Sequence, residues 1–293
     1  MKKLLFIPIL ILFIFKVSGQ NSEFNPKTLS KSELSNVMAF AKIYGYVRHF
    51  YPSTEVDQMK NWEKLIADNL PRIEQSAHTK ELVTNLSRAF LPYAPLLSIN
   101  GELRNVINSG KHIVYRKNIG WGNRGENATQ VTLAVYSSDL ISIPFDSVLP
   151  PNILPPSQSL SKKINDKITV SWPLSVFAND SFTLPHNYGF TIDTNQYNYK
   201  SANRQVRMGC IIEFWNVMQH FYPYMDELKI NHDPILEKYL QLASEANSEE
   251  QFFSLLEWLG AEYKDGHAAF MPYYYVNWAD FVPPIRAETI EGK

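Results

Sequence analysis

The pattern of hydrophobic positions divides the chain into two helical regions and, between them, one region of shorter β-type runs. Apolar residues recur at helical spacing over residues 34–90 and again over 207–259. Between these stretches the period shortens to the alternation that is typical of strands. This order predicts an α+β fold, in which two related three-helix units, residues 30–95 and 204–270, flank a small antiparallel β domain, residues 105–195.

The two helical regions resemble each other in sequence. The string His-Phe-Tyr-Pro occurs at 49–52 and again at 220–223, an offset of 171 (220 minus 49). The same offset pairs Tyr44 with Trp215 and places apolar residues opposite apolar residues along the first helix. A shared string with a matched order of helices indicates duplication of one helical unit. Further along, the helix order pairs 62–73 with 234–246 and 79–90 with 248–259.

Capping and breaking residues set the ends of these helices. Ser30 and Ser248 are each followed, three positions later, by a Glu or a Gln, the pattern of a capping box at a helix N-terminus. Pro52 and Pro223 have no backbone N–H and push the preceding residue out of helical geometry. The first helix of each unit is therefore expected to end just before its proline.

Four runs between the helical units are rich in alternating, β-branched and aromatic residues. No helical pattern separates them, so an antiparallel sheet or sandwich is expected. A glycine- and asparagine-rich loop follows the first run. The predicted strands are 112–115, 131–136, 141–145 and 167–172.

Residues 1–19 have the pattern of a signal peptide. Lys2 and Lys3 precede an apolar run at 4–15, and Val17-Ser18-Gly19 offers small residues for cleavage. The run has 12 residues, whereas a membrane-spanning helix needs about 20. An exported protein, periplasmic or extracellular, is the expectation, and a short N-terminal membrane anchor is the alternative.

Composition excludes some partners. The formal net charge is −1 and no basic cluster occurs, so nucleic acid is not an expected partner. After cleavage of the signal peptide, no membrane partner is expected either. Cys210 is the only cysteine, so no intrachain disulfide is possible, and its place in an apolar helix predicts an inert core thiol.

Few residues point to chemistry. The chain has no G-x-S-x-G, H-E-x-x-H, P-loop or G-x-G-x-x-G motif, and its seven histidines do not fall at metal-ligand spacings. No metal and no other cofactor is therefore expected. His49 and His220 end matching helices and are interpreted as structural. The turn Asp265-Gly266-His267 remains, and taken alone it is a common type of turn.

The order of these motifs resembles a known family, the tail-specific (C-terminal-processing) serine peptidases, in their tricorn-like and retinoid-binding-protein-like branch. The resemblance covers residues 30–293. It depends on short motifs in a particular order: Phe-Tyr-Pro at 50–52, Ile-Thr-Val-Ser-Trp-Pro-Leu at 168–174, Thr-Leu-Pro at 183–185, Arg-x-x-x-Ile-x-x-x-Trp-Asn at 207–216 and Asp-Gly-His at 265–267.

The resemblance implies a role for His267. In the tricorn-type members the histidine of this turn is the catalytic base, which takes the proton of the nucleophilic serine and gives it to the leaving amine. In other branches a serine–lysine pair does this work. The substrate would be polypeptide.

The chain departs from the family pattern after His267. A PDZ-like region and an α/β catalytic core follow the turn in the family, and 26 residues (293 minus 267) follow it here. Residues 271–293 are expected to be the start of a truncated PDZ-like region. The nucleophile is therefore expected to be absent, and the 293-residue chain inactive alone. The alternative is an exported, non-catalytic peptide- or glycan-binding module, with Trp121, Trp172 and the tyrosines at 273–275 as its binding surface.

Overall fold

The computed structural model describes residues 24–101, 110–119, 137–193 and 200–264, and the structural statements below concern these residues. The fold is mixed α and β, as the sequence predicts. None of the described helices is long and apolar enough to cross a membrane. The proposed signal peptide, the predicted strand 131–136 and the 120–127 loop lie outside the described residues. The helices are α1 (Lys31–Phe50), α2 (Thr54–Gln58), α3 (Trp62–Glu74), α4 (Thr79–Phe90), α5 (Arg204–Phe221), α6 (Met225–Leu228), α7 (His232–Glu245) and α8 (Glu249–Glu262).

The strands form two small antiparallel sheets, with strand orders β1-β5-β4 and β3-β2-β6. The antiparallel prediction is confirmed for the described strands. The sequence does not predict three short strands, β1, β4 and β6, because runs of two to four residues carry too little alternation. The bounds are β1 (Ser98–Ile99), β2 (His112–Ile119), β3 (Ser137–Pro144), β4 (Leu160–Lys163), β5 (Thr169–Trp172) and β6 (Ser175–Ala178).

The two helical units have the same order of elements: one long helix, one short helix and two helices of intermediate length. The short helices α2 and α6 were not predicted. The Phe-Tyr-Pro strings have the same conformation, because Tyr51 and Tyr222 are both extended C-cap residues. Their backbone N–H groups donate to the carbonyls of Val47 and Met218, which are also 171 residues apart.

The register of the later helices corrects the sequence pairing. The buried positions of α4 recur in α8 at an offset of 170, so Thr79 corresponds to Glu249 and not to Ser248. The offset is also 170 for α3 and α7, so the pairing of 62–73 with 234–246 is wrong by two or three residues. An apolar pattern that is shifted by about one helical turn resembles the unshifted pattern. The capping residues therefore decide how the helices of the two units align. The matching buried residues are Leu82, Asn85, Leu86, Ala89 and Phe90 in α4, and Phe252, Leu255, Leu256, Leu259 and Gly260 in α8.

The first helices of the two units, α1 and α5, make reciprocal contacts near their C-terminal ends. The His49 ring lies 5.0 Å from the Phe221 ring, and the Phe50 ring lies 4.9 Å from the His220 ring. His49 and His220 are counterparts at the offset of 171, and so are Phe50 and Phe221. Each of the two contacts is therefore the copy of the other. Such an exchange is what an isologous, twofold interface produces. The two units are therefore related by a pseudo-twofold axis that passes between α1 and α5.

Gly45 and its counterpart Asn216 face each other at this axis. The side-chain amide of Asn216 donates to the carbonyls of Ala41, at 3.0 Å, and Ile212, at 2.8 Å, and these two residues are also counterparts. A Cβ on Gly45 would lie 1.8 Å from Asn216 Oδ1, a distance that no structure tolerates. Glycine at 45 therefore leaves free the space that the Asn216 side chain occupies.

One hydrophobic core joins the helices to both sheets. Arg116 of β2 fixes the β region over the end of α1, because its Nε donates to the carbonyl of Tyr51 at 3.0 Å and its Nη2 lies 3.3 Å from Asp57 Oδ1. Ser138 of β3 donates to the carbonyl of His49 at 2.5 Å. The two sheets consequently stand above the point where α1 and α5 meet.

Candidate functional site

The predicted catalytic residue, His267, lies outside the described residues, and the described chain before it ends at Lys264. Tyr263, directly after α8, is fully buried. The hydroxyl of Tyr222 donates to the carbonyl of Tyr263 at 3.1 Å. The ring of Phe214 lies edge-on to that of Tyr263, with centroids 5.6 Å apart. The backbone is thus anchored to the second unit up to Lys264, two residues before Gly266.

The polar residues of the Arg-x-x-x-Ile-x-x-x-Trp-Asn motif have structural roles. Arg207 is fully buried, and its Nε donates to the carbonyl of Ala243 at 2.7 Å near the C-terminus of α7, where the helix dipole favours a cation. Trp215 donates from its indole nitrogen to the carbonyl of His232 at 2.8 Å. Together with Asn216 at the axis, these contacts explain the motif by packing, so it supplies no free reactive group.

The two histidines at the axis are neutral packing residues. Burial lowers the pKa of His49 well below its usual value and lowers that of His220 to about 4. Both rings pack on the phenylalanine of the opposite unit. The prediction of a structural role is supported for both, although His220 also lines the cleft described next.

A cleft of about 680 Å³ opens between the two sheets, above the ends of α1 and α5. The helices supply its floor, β2 forms one wall, and β4, β5 and the loop after β3 form the other. We call it the intersheet cleft. Its lining residues are Tyr46, Phe50, Tyr115, Arg116, Lys117, Asn118, Pro150, Asn152, Ile153, Leu160, Lys162, Trp172, Leu174 and His220.

Aromatic rings cover much of the floor of the intersheet cleft. Tyr46 stacks on Trp172, with ring centroids 4.4 Å apart and an angle of 14° between the planes. The ammonium group of Lys162 lies 5.8 Å from the centroid of the Tyr46 ring, within cation–π range. Burial raises the pKa of the Tyr46 hydroxyl, so this ring is neutral at pH 7.

The charged side chains of the intersheet cleft are all cationic. Arg116 is held by the carbonyl of Tyr51 and by Asp57. Lys117 and Lys162 are exposed, and Asp139 of β3 lies directly opposite Lys117 in the antiparallel ladder. No described Asp or Glu lines the cleft. Asp57 pairs with Arg116 and Asp139 lies opposite Lys117, so two of these cations are compensated in part.

Little of this arrangement is predictable from the sequence. The sequence predicts Trp172 as a binding residue, but Trp172 is 2% exposed and its indole stacks on Tyr46. Trp121 and the tyrosines at 273–275 lie outside the described residues. The cleft draws its residues from helices, strands and a loop that are far apart in sequence, so no local motif identifies it.

Comparisons of the chain with protein-family models, with curated proteins and with solved structures found no match. Among residues 24–101, 110–119, 137–193 and 200–264, no group of three or more His, Cys, Asp or Glu side chains is placed to hold a metal ion. Cys210 packs against the core, and burial raises the pKa of its thiol well above the usual value. This cysteine is a packing residue at neutral pH.

Proposed function

We propose that this chain is the supporting, non-catalytic part of an exported serine peptidase of the tail-specific family, which acts on polypeptides. The order of motifs along the sequence is the basis of the family assignment. The structural observation that supports it is the fixed end of α8. Tyr263 is buried and bonded through its carbonyl to Tyr222, three residues before Gly266 and four before His267.

In this proposal His267 is the general base. It takes the proton of a serine that lies outside these 293 residues, and then gives the proton to the leaving amine. The second helical unit holds the chain up to Tyr263, and such support matters for a catalytic base because a displacement of about 1 Å at a reacting group can cost about 100-fold in rate. No serine of the printed sequence lies in a context that matches the family's nucleophile, so no peptidase activity is expected from the 293 residues alone.

The surface of the second unit agrees with a docking role. Trp258 on α8 is 61% exposed, and Tyr224 after α5 is 46% exposed. Their counterparts in the first unit are polar: Arg88 at an offset of 170 and Ser53 at an offset of 171. Exposed aromatic residues mark protein interaction sites more often than polar ones do, so we propose that each of these two residues contacts the catalytic core.

The test uses a longer version of the protein that contains a catalytic core. His267→Ala is expected to lower kcat by about 10³–10⁶-fold, as the loss of a base does at other serine sites. His112→Ala, at a half-buried position on β2, serves as the matched control and should leave kcat unchanged. Circular dichroism and the melting temperature verify that both variants fold.

A second variant tests the anchoring of the turn. Tyr222→Phe removes the hydrogen bond to the carbonyl of Tyr263. It should lower kcat less than His267→Ala does, with little change in KM, because it displaces the base without removing it. If His267→Ala kept normal activity, the assignment of the base would be wrong and a serine–lysine pair would take its place.

The intersheet cleft favours a second candidate function, an exported peptide- or glycan-binding module. Its volume of about 680 Å³ lies within the range of about 300–1,000 Å³ that is usual for ligand pockets. Titration calorimetry of the 293-residue chain with peptides and sugars tests this function without any need for peptidase activity.

A further inference from the structure

We infer that residues 24–29 form a strap that holds the two helical units together at one end, so that this end stays closed only while the segment is docked. We call it the N-terminal strap. It follows the proposed signal peptide, residues 1–19, so cleavage after Gly19 would leave it intact. The inference concerns the assembly of the units, and it does not depend on the role of His267 or on a ligand in the intersheet cleft.

The backbone of the N-terminal strap is bound to the second unit. The Lys27 N–H donates to the carbonyl of Ser244 near the end of α7 at 2.9 Å, and the Ser244 hydroxyl donates to the Lys27 carbonyl at 2.6 Å. Asn25 Oδ1 accepts from the N–H of Arg204, the first residue of α5, at 3.2 Å. The first N–H groups of a helix have no partner within the helix. The strap therefore supplies part of the cap of α5.

The side chain of Lys27 binds the first unit. Its Nζ lies 2.6 Å from Oε1 of Glu33 in α1 and 2.5 Å from Oε1 of Glu74 at the end of α3. Glu74 is 1% exposed, and Nη1 of Arg204 in the second unit lies 2.7 Å from its other oxygen. A buried carboxylate that loses one of its partners is strongly destabilising. Glu74 of the first unit is therefore shared between the strap and the second unit.

The two ends of the N-terminal strap are also fixed. The guanidinium group of Arg207 in α5 lies 5.1 Å from the centroid of the Phe24 ring, within cation–π range. Leu29 is 5% exposed and belongs to the hydrophobic core that includes both units. The strap is thus attached at its first and last residues as well as at Lys27.

The N-terminal strap and the intersheet cleft lie at opposite ends of the long helices. Helix α1 has 20 residues and is therefore about 30 Å long. The strap lies at its start, whereas His49 and Phe50 at its end contact α5. Detachment of the strap should therefore loosen one end of the contact between the units and leave the cleft end closed.

A charge-removing variant tests the strap. Lys27→Met keeps an unbranched side chain and removes the charge that pairs with Glu74. The melting temperature should fall by about 3–6 °C, because a buried carboxylate loses one partner. Lys31→Met is the matched control, because Lys31 is exposed at the start of α1, and it should change the melting temperature by about 1 °C or less.

Hydrogen exchange of the full chain shows where the Lys27→Met variant opens. Backbone amides should exchange about tenfold faster in the strap, in the first turn of α5 and in the last turn of α7, because local opening exposes them. Amides in the last turns of α1 and α5, at the cleft end, should exchange as they do in the original chain.

A second variant tests the strap without removing a charge. Asn25 is exposed, so Asn25→Ala should keep the fold while it removes the acceptor for the Arg204 N–H. A protease specific for lysine should cleave after Lys27 about fivefold faster in this variant, because cleavage depends on the population of the open form. Cleavage after Lys167, an exposed residue between β4 and β5, is the internal control and should not change.

The location of the changes decides the outcome. Faster exchange at the strap end and faster cleavage after Lys27 support the inference. A rise in exchange that is even along the whole chain overturns it, because the strap would then be one core segment among others. Unchanged exchange and cleavage overturn it as well, because the units would stay together without the strap. None of these results bears on the peptidase assignment, which His267→Ala in a longer protein tests separately.

Discussion

The two helical units share one framework but differ where they meet. Gly45 in the first unit faces its counterpart Asn216 in the second, and the side chain of Asn216 fills the space at the pseudo-twofold axis. Two asparagines at these positions would occupy the same volume. The exchange of one asparagine for glycine therefore lets a single side chain fill the space at the axis that two asparagines could not share.

A second difference arises from the β region, which covers the end of the first unit. Tyr46 stacks on Trp172 of β5, whereas its counterpart Val217 is a small buried residue of α5. His49 is 3% exposed beneath β3, whereas His220 lines the intersheet cleft. The two copies thus differ in sequence at positions where they pack against different parts of the fold.

The largest predicted effect tests the equivalence of Tyr44 and Trp215, which are both buried. Trp215→Ala leaves a cavity and removes the donor to His232, so we expect a loss of about 3–5 kcal/mol in the free energy of unfolding. Trp258→Ala is the matched control in the same unit and should cost less than about 0.5 kcal/mol, because Trp258 is exposed. Urea denaturation measures both. Similar losses of unfolding free energy in the two variants would contradict the prediction that Trp215 is buried at the position equivalent to Tyr44.

The next prediction tests the burial of His220, whose surroundings differ from those of its counterpart His49. Burial lowers the pKa of His220 to about 4 in the folded chain, against about 6.5 in an unfolded chain. Between these values the unfolded chain binds a proton that the folded chain does not. The stability from this group is complete above pH 6.5 and decreases by about 3 kcal/mol as the pH falls towards 4.

His220→Asn should flatten this part of the pH dependence without abolishing it, because burial also lowers the pKa of His49. Unfolding free energies at pH 7 and pH 4.5, for the original chain and the variant, measure the difference. An unchanged pH dependence in the variant would mean that His220 is not buried as described.

A smaller effect tests the asymmetry at the axis. The methyl group in Gly45→Ala meets Asn216 Oδ1 and Cγ and His220 Nε2, so this overpacking should cost about 1–3 kcal/mol. The same change in an Asn216→Ala background should cost less, because the nearest atoms are gone. A double-mutant cycle by denaturation measures the coupling. Additive losses would show that the two positions do not meet.

The smallest effect tests the caps of the third long helices. His78 Nδ1 accepts from the Glu81 N–H at 3.1 Å, where the counterpart Ser248 hydroxyl accepts from Gln251 at 3.2 Å. Serine is the better N-cap, so His78→Ser should raise stability by about 0.5 kcal/mol and Ser248→Ala should lower it by about 1 kcal/mol. Melting temperatures measure both changes in stability. A loss of stability in His78→Ser would show that His78 has a further role.

The sequence by itself determined the local features of this protein. Helical periodicity, the capping box at Ser30 and the helix-ending prolines predict α1 and α5 and their common end at Phe-Tyr-Pro, and the structure confirms them. The duplication could also be inferred, because a repeated string and repeated apolar stripes are properties of the linear sequence. These signals depend only on residues close together in the sequence. Helix propensity and the hydrophobic pattern are therefore sufficient to predict them.

Tertiary structure alone decided the rest. The register of α8 depends on its cap and its packing, and the roles of Arg207 and Asn216 depend on carbonyls of other helices. The intersheet cleft exists because two sheets stand apart above the crossing of α1 and α5, so its residues come from positions 46 to 220. Packing between distant segments is not encoded in any local pattern, because the energy of each contact depends on which surfaces the complete fold brings together.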